Sequence, residues 1–263
     1  MNCKICSSSM VSFAHGTILL KHNVKYFQCM QCGFVCTESP YWLDEAYQAA
    51  INRADVGLVQ RNYQTHLRTK NLINFILGSE GGTYLDYGGG YALFVRLMRD
   101  AGFNYFWFDE RCENIFAHGF SLEDSRLSSF DLVTAFEVFE HLVNPVDELT
   151  KILKYSENIF FTTLLFPSYN PRPGNWWYYG LEHGQHISFF TKKTLESMGS
   201  DFGLQLYSDG YYFHFLTKTR VSKLLFRLAV SSKSMRIFSV LGKRPSLLQK
   251  DYEDTVKQMG RDS

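Results

Sequence analysis

Four of the six cysteines form two close pairs near the start of the chain. Cys3 and Cys6 form one Cys-x-x-Cys pair, and Cys29 and Cys32 form the other. Four thiolates supply tetrahedral ligands for Zn²⁺, and a site closed by four protein ligands has no position for a reacting water. The spacing therefore predicts a structural zinc ion held by these four residues. Gly33 follows the second pair, where the chain must bend sharply.

Three consecutive glycines follow an apolar segment in the middle of the chain. Thr83–Asp86 is predicted to be a strand, and Gly88, Gly89 and Gly90 lead from it toward a helix. Glycines at such a turn let a ligand approach the backbone closely. Asp109 ends the next predicted strand, where a carboxylate can accept hydrogen bonds from ribose hydroxyls. The pattern contains neither Gly-x-Gly-x-x-Gly nor Gly-Lys-Ser/Thr, so it favours a nucleoside-like ligand over a nucleoside triphosphate.

A long loop rich in aromatic residues and histidines lies between Pro167 and Thr191. Loops of this length in compact domains commonly carry function. Side chains suited to stacking on an acceptor, or to pairing with its phosphate, are Arg172, Trp176, Trp177, Tyr178 and Tyr179. Histidine has the pKa range to take a proton from an acceptor, and the candidates are His183, His186 and His141. The alternatives are a lid that packs on its own domain and histidines that only hold the loop by hydrogen bonds.

Strands and helices alternate from Thr83 onward. This alternation predicts an α/β fold with a mostly parallel sheet covered by helices on both faces. Ligands of such sheets bind at the carboxyl ends of the strands. The segments 205–208 and 212–216 are predicted to be a closing strand pair. Pro145 and Thr191 are predicted to begin helices, because proline suits the first turn and threonine suits the N-cap.

Composition limits the classes of function. The chain has 263 residues with 27 Lys and Arg against 26 Asp and Glu, a net charge of +1. This balance argues against binding nucleic acid through bulk electrostatics. We find no signal peptide and no transmembrane segment in the sequence, so we expect a cytoplasmic protein. The stretch 221–244 mixes apolar and basic residues, which is typical of a packing helix with a solvated face or of an amphipathic helix at a membrane surface.

Four ordered blocks resemble class I S-adenosylmethionine-dependent methyltransferases. They read TYLDYGGGYALFVRLMRDAGF, FWFDE, FDLVTAFEVFEHLVNPVDEL and HISFFTKKTLESMG. The resemblance implies a Rossmann-like, seven-stranded methyltransferase sheet with helices on both faces and the last strand inserted antiparallel. We expect a zinc-knuckle module at 1–39, a helical connector at 40–80, the methyltransferase domain at 81–220 and a helical extension at 221–263.

The resemblance also implies residues that bind S-adenosylmethionine. The methionine part would lie along Asp86 and the three glycines, and Asp109 would hold the ribose. From the residues alone, Asp86 either organises the loop or binds the ammonium group of the ligand. Further candidates, for the ribose, the adenine, the ligand backbone and the methionine carboxylate, are Glu110, Phe120, Ser121, Phe136, Glu137 and Arg61. Ala92 stands where many family members have glycine.

Resemblance also guides the prediction of the acceptor. Some sugar C-methyltransferases carry a similar zinc knuckle and a Glu-His pair before an aromatic pair, with that histidine near the proton removed. His186 matches the histidine, but Gln185 replaces the glutamate and cannot act as a base. We therefore expect O-methylation of a sugar, nucleotide sugar or polysaccharide precursor with His186 as general base. The alternatives are C-methylation of a nucleotide sugar, an RNA or protein methyltransferase whose zinc module binds the macromolecule, and a non-catalytic donor-binding protein.

Overall fold

The computed structural model describes residues 1–48, 55–233 and 242–262. Two of the regions predicted above extend beyond these residues. Positions 49–54 of the predicted connector and positions 234–241 of the basic stretch lie outside the described part. No helix in the described part is long and apolar enough to cross a membrane.

The described residues contain ten strands and eight α-helices. The strands are β1 (Met10–Ile18), β2 (His22–Cys29), β3 (Val35–Thr37), β4 (Thr83–Tyr87), β5 (Asn104–Phe108), β6 (Leu132–Ala135), β7 (Ile159–Thr162), β8 (Ser188–Phe189), β9 (Gln205–Ser208) and β10 (Phe213–Thr217). The helices are α1 (Leu43–Ala46), α2 (Leu58–Leu72), α3 (Leu93–Asp100), α4 (Leu122–Ser125), α5 (Pro145–Ile152), α6 (Lys192–Ser200), α7 (Lys223–Val230) and α8 (Leu248–Asp262).

The chain divides into two compact units. The first unit comprises Met1–Arg53, Phe136–Leu153 and Phe161–Arg220, and the second comprises Ala54–Ala135, Lys154–Phe160 and Val221–Ser263. Both contain segments that are distant in sequence, so each unit is held together by tertiary contacts.

The first unit contains a four-stranded sheet in the order β1-β2-β3-β8. The strand after the second cysteine pair therefore pairs with the strand just before α6, with Val35 opposite Phe189 and Cys36 opposite Ser188. A core cluster joins the same segments, and its largest buried side chains are Tyr26, Trp42, Tyr178, Tyr179 and Phe189. The cysteine hairpin and the aromatic loop thus share one hydrophobic core.

The second unit contains the strand that leads into the glycines. β4 lies between β5 and β6 and is parallel to both, with Tyr84 opposite Tyr105 on one side and Leu132 on the other. The helix α8 is fixed by a buried ion pair, in which Arg99 of α3 donates to both carboxylate oxygens of Asp251 at 2.8 and 2.7 Å. A bidentate pair of this kind fixes orientation as well as adding energy.

Several predictions of local structure are confirmed. Thr191 caps α6 by accepting a hydrogen bond from the Thr194 backbone N–H, and Pro145 occupies the first turn of α5. The closing strand pair is β9 and β10, which are antiparallel. Parallel and antiparallel pairs together give an α/β fold with a mixed sheet.

The number of strands differs from the prediction of seven. In the described part of the chain, the mixed sheet has six strands, which are β4 to β7, β9 and β10. Beside β5, where a seventh strand would pair, the described residues form a single parallel bridge, between Trp107 and Ser121. Ser121 caps α4 immediately afterward, accepting a hydrogen bond from Asp124 N–H, so the helix begins where the strand would continue.

Candidate functional site

The glycine turn of the second unit is held by β5. The backbone N–H groups of Gly88 and Gly89 both donate to the carbonyl oxygen of Phe108, at 2.8 and 3.1 Å. The indole Nε1 of Trp107 donates to the carbonyl oxygen of Gly90 at 2.8 Å. Gly88 and Gly90 have positive φ angles of 70° and 54°, which glycine adopts without steric cost. The turn therefore needs glycine at these two positions for its backbone shape.

Gly89 is needed because of the space around it. A Cβ atom at this position would lie 2.7 Å from Oδ2 of Asp86 and 2.7 Å from Cδ1 of Trp107. Both separations are shorter than van der Waals contact. A residue without a side chain is thus required at the centre of the turn, as expected for a loop that a ligand approaches closely.

Asp109 connects the end of β5 to the glycine turn. Its Oδ2 accepts a hydrogen bond from the backbone N–H of Gly90 at 2.9 Å, and its Oδ1 accepts from Arg111 and Cys112 at 2.7 and 2.9 Å. A carboxylate has about four acceptor positions, so these three bonds leave capacity for a ribose hydroxyl. The sequence did not predict that Asp109 also stabilises the glycine turn by hydrogen bonding.

The other predicted donor residues of the second unit have varied surroundings. Glu110 is exposed. Phe120 is half-buried, with the guanidinium of Arg99 3.5 Å from its ring centroid. Ser121 caps α4, and Arg61 forms an ion pair of 2.6 Å with Asp55.

Asp86 is a buried carboxylate beneath the glycine turn. Its side chain accepts a hydrogen bond from the Thr134 hydroxyl at 2.7 Å, and the residue is almost fully buried. Burial raises the pKa of Asp86 to about 7, the Thr134 hydrogen bond opposes the shift, and the charge of Asp109 adds to it. A buried carboxylate in this state favours a cationic ligand. Thr134 was missed by sequence analysis, although a polar residue within the apolar strand β6 is a detectable signal.

In the first unit, Phe136 and Glu137 follow the end of β6. Phe136 is half-buried, and Glu137 has a positive φ of 55°, uncommon for a residue with a side chain. Oε1 of Glu137 accepts hydrogen bonds from the Tyr212 hydroxyl at 2.6 Å and the Thr162 hydroxyl at 3.0 Å. The carboxylate of Glu137 is therefore held in a fixed orientation by side chains from two other segments.

The hydrogen bonds of the three candidate histidines distinguish their chemistry. The backbone N–H of Gln185 donates to Nδ1 of His183 at 3.1 Å, which assigns the proton of the neutral ring to Nε2. Nδ1 of His186 lies 2.6 Å from the carbonyl oxygen of Tyr178, and Nδ1 of His141 lies 3.1 Å from that of Gln185. Because a carbonyl only accepts, the Tyr178 contact places the proton of the neutral His186 ring on Nδ1 and a lone pair on Nε2. Nδ1 of His141 also lies 3.0 Å from the Tyr47 hydroxyl, which can donate to it, so both tautomers of His141 fit its contacts. In the neutral state, His186 therefore has a basic Nε2 and His183 does not.

Glu140 is a buried acid that the sequence analysis did not single out. It is 0% exposed, and neither carboxylate oxygen has a hydrogen-bond partner among the described residues. Burial raises the pKa of Glu140 to about 8, and the charge of Glu137 adds to the shift. The hydroxyls of Tyr178 and Thr163 are close enough to favour the charged form of the Glu140 carboxyl group. Neither hydroxyl forms a hydrogen bond of good geometry with a Glu140 oxygen. An unpartnered buried carboxylate is costly, so this residue needs a functional explanation.

The four aromatic residues of the loop differ in exposure. Tyr178 and Tyr179 are buried in the core cluster, so their side chains have a packing role. Trp176 is half-buried, whereas Trp177 is 75% exposed. Arg172 is exposed, and its guanidinium lies 4.1 Å from the ring centroid of Phe13. The surface available for stacking is thus mainly that of Trp177.

The four cysteines predicted to bind zinc come together in the first unit. Their sulfur atoms all lie within 4.8 Å of one another, and the pairs Cys3–Cys32 and Cys6–Cys29 are separated by 3.7 and 3.5 Å. Gly33 has a φ of 80°, as the bend after the second pair requires. This arrangement matches the donor set of a closed tetrahedral zinc site.

A methyltransferase-domain sequence profile matches residues 59–209, more than half of the chain. The chain belongs to this methyltransferase family. It is an S-adenosylmethionine-dependent methyltransferase, in agreement with the prediction from the four sequence blocks. No curated protein matches the sequence.

Two methyltransferases of known structure are similar to this chain. The plantazolicin methyltransferase BpumL, in complex with a monoazolic desmethylPZN analog and SAH, is 11% identical with a TM-score of 0.50, and the match covers 75% of this chain and 87% of that chain. The 1,6-didemethyltoxoflavin-N1-methyltransferase of Burkholderia thailandensis is also 11% identical, with a TM-score of 0.44 and coverage of 77% and 97%. The likeness to BpumL shows a common fold.

The raised pKa of Asp86 predicts a pH dependence of donor binding. S-adenosylmethionine carries a positive sulfonium, which favours the charged carboxylate, so the bound state holds fewer protons than the free state. Affinity is therefore expected to rise with pH and to be about tenfold higher at pH 8 than at pH 6. Calorimetry at the two pH values measures this ratio. The Asp86→Asn variant should bind S-adenosylmethionine more weakly, and its affinity should no longer rise between pH 6 and pH 8 through this residue. If the ratio of the affinities at the two pH values is the same in the variant and the wild type, the prediction is contradicted.

Proposed function

We propose that the enzyme transfers the methyl group of S-adenosylmethionine to a hydroxyl of a saccharide acceptor, with His186 as general base. The acceptor class is a sugar, nucleotide sugar or polysaccharide precursor. The observation that carries the proposal is the contact between Nδ1 of His186 and the Tyr178 carbonyl oxygen at 2.6 Å. This contact commits the ring proton to Nδ1 and orients a basic Nε2, the state that proton removal requires.

The proposed step is a direct displacement. The acceptor oxygen attacks the methyl carbon, its proton passes to Nε2 of His186, and the bond between sulfur and the methyl group breaks. The products are the methyl ether and S-adenosylhomocysteine, and the protonated imidazole then returns its proton to solvent. Because the sulfonium is already an activated leaving group, the chain contributes mainly positioning and general-base assistance.

For the donor, we propose the loop of the second unit. Gly88 to Gly90 line the methionine part, Asp86 faces its positive charge and Asp109 accepts from the ribose. Glu110, Phe120, Ser121, Phe136, Glu137 and Arg61 remain proposed contributors. The absence of room for a Cβ at Gly89 supports a close approach of ligand to the turn.

Two observations support a saccharide hydroxyl as the acceptor. Trp177 offers an exposed aromatic surface on the loop, and Arg172 offers a cation for a phosphate. The side-chain amide of Gln185 donates to the Ala46 carbonyl oxygen at 2.9 Å, and an amide cannot take a proton from carbon. The Gln185 contact therefore favours O-methylation over C-methylation. A net charge of +1 favours a small acceptor over RNA.

We also propose that Cys3, Cys6, Cys29 and Cys32 hold a structural Zn²⁺. The cluster has four thiol sulfurs and therefore no open position for substrate. The Thr191 and Thr194 hydroxyls donate to the carbonyl oxygen of Cys32 at 2.8 and 2.9 Å. The metal would thus brace the segment that begins α6, directly after the histidine-bearing loop.

The test is methyl transfer from labelled S-adenosylmethionine to a panel of sugars and nucleotide sugars. His186→Ala is expected to lower kcat/KM by about 10²- to 10⁴-fold because proton removal loses its base, while donor affinity is unchanged. His183→Ala is the matched control, since its Nδ1 is already an acceptor for Gln185 N–H, and its effect should stay below about tenfold. Full turnover by His186→Ala would remove it as the base, and no transfer to any saccharide would refute the acceptor class.

A further inference from the structure

We propose that Glu140, His141 and His186 form a binding site for a divalent transition-metal cation, distinct from the four-cysteine cluster. One candidate ligand atom of each residue lies within 4.8 Å of those of the other two. Two imidazoles and one carboxylate form a donor set that binds Zn²⁺, Mn²⁺ or Fe²⁺ while leaving coordination positions open. All three residues belong to the first unit.

The first argument is the burial of the Glu140 carboxyl group. Its two oxygens are buried without hydrogen-bond partners among the described residues. Buried carboxylates in proteins are normally hydrogen-bonded, paired with a cation or bound to a metal. The neighbouring imidazoles of His141 and His186 are also metal ligands, so a bound metal is the partner of Glu140 that fits all three residues. The orphaned carboxylate thus points to a missing positive charge beside it.

The second argument is the orientation of the two rings. Nδ1 of His141 lies 3.1 Å from the Gln185 carbonyl oxygen and 3.0 Å from the Tyr47 hydroxyl, and Nδ1 of His186 contacts the Tyr178 carbonyl oxygen. Metal-binding histidines usually donate their other ring N–H to such a carbonyl, which fixes the tautomer and aims the basic nitrogen. The two ring centroids are 4.9 Å apart, a separation compatible with a shared cation.

The third argument is that the backbone holds the ligands together. The backbone N–H of Ile187 donates to the Glu140 carbonyl oxygen at 2.9 Å, and the Ser188 hydroxyl donates to the Leu142 carbonyl oxygen at 2.7 Å. These bonds join the short 3₁₀ turn Phe139–His141 to the segment that carries His186. The ligands are therefore positioned before a cation binds, which lowers the entropic cost of binding.

The role of a cation at this site rests on the proposed function, because the cation would act on the acceptor hydroxyl. In the loaded enzyme, the Nε2 lone pair of His186 is donated to the metal and no longer accepts a proton. A cation held by these residues would lower the pKa of an acceptor hydroxyl bound to it, and the proton of that hydroxyl would pass to solvent. The base role of His186 would then apply only to the cation-free enzyme.

The experiment is a titration of the full chain, with its four-cysteine zinc content measured beforehand, against Mn²⁺ and Zn²⁺. The wild type is expected to bind one further equivalent of cation. Glu140→Gln keeps the shape but removes the charge, and should weaken that binding by at least about tenfold. Electron spin echo spectra of bound Mn²⁺ should show coupling to histidine nitrogen, which decreases in His141→Ala.

His183→Ala is the control, because its ring lies 4.8 Å from that of His186 but carries its proton on Nε2. It should bind the cation as the wild type does. Donor affinity and circular dichroism report folding, and His141→Ala replaces Glu140→Gln if the latter does not fold. The proposal is overturned if neither cation binds beyond the cysteine-bound equivalent, or if both ligand variants bind with wild-type affinity.

The two proposals fail in different ways. Cation binding without methylation of any saccharide would refute the proposed function and leave the metal site standing. Conversely, the protein could methylate a saccharide at an unchanged rate after treatment with a chelator and bind no cation beyond the cysteine-bound zinc. That result would refute the metal site and leave His186 as the base.

Discussion

Gly89→Ala is expected to weaken S-adenosylmethionine binding by at least about 100-fold, equal to about 2.7 kcal/mol. The added Cβ would lie 2.7 Å from both Asp86 Oδ2 and Trp107 Cδ1. Neither neighbour can retreat easily. Asp86 is buried against Thr134, and the Trp107 indole is held by its hydrogen bond to Gly90. The loss lies within the range of about 1–3 kcal/mol that overpacking costs. Calorimetry with the donor measures it.

Gly81→Ala is the matched control for this variant. Gly81 has a positive φ of 75°, unlike Gly89, and an added Cβ there would meet nothing within 4 Å. Alanine at that position brings backbone strain of about 1–2 kcal/mol without a clash, so stability should fall slightly and donor affinity should remain. Equal donor affinities in the two variants and the wild type would show that the glycine turn is not the donor site.

Cys29→Ser is expected to release zinc and to lower the melting temperature of the protein by at least about 10 °C. Structural zinc contributes its binding free energy to folding, and a loss of about 4 kcal/mol corresponds to such a shift for a chain of this size. Metal analysis and thermal unfolding measure both effects. The Cys112→Ser variant is the control. Cys112 lies outside the cluster, so this variant should keep its zinc and its melting temperature.

The consequence for activity follows from the contacts of the cluster. Cys32 accepts the hydroxyl hydrogen bonds of Thr191 and Thr194, and β3 pairs with β8 beside the loop that carries His186. Loss of the metal should therefore reduce methyl transfer more than it reduces donor affinity, because the proposed donor loop lies in the second unit. Retained zinc or an unchanged melting temperature in Cys29→Ser would show that the cluster is not a structural metal site.

The sequence predicted the glycine turn after β4 well because its features are local. Glycine at Gly88 and Gly90 is required by positive φ, and Asp109 ends the adjacent strand. Each can be read within one strand-turn-helix unit. The helix starts at Pro145 and Thr191 were predictable for the same reason, since capping depends on neighbours within three or four residues.

Long-range packing decided features that local patterns could not. The aromatic run Trp176–Tyr179 looked uniform in sequence, yet two of its members fill a core shared with the cysteine hairpin while Trp177 is exposed. The same is true of the number of strands, because pairing beside Trp107 of β5 stops at the single bridge with Ser121. Burial and competition between elements depend on segments distant in the chain.

The sequence by itself determined the family, the α/β fold, the glycine turn with its acid and the two cysteine pairs. These depend on residue types at short, fixed spacing. Only the tertiary structure decided which histidines have a basic Nε2, because the answer lies in whether Nδ1 contacts a carbonyl or an N–H group. It also brought Glu140 together with His141 and His186, with no hydrogen-bond partner for the Glu140 carboxylate among the described residues. Protonation and burial are properties of the surroundings of a residue, which the folded chain creates.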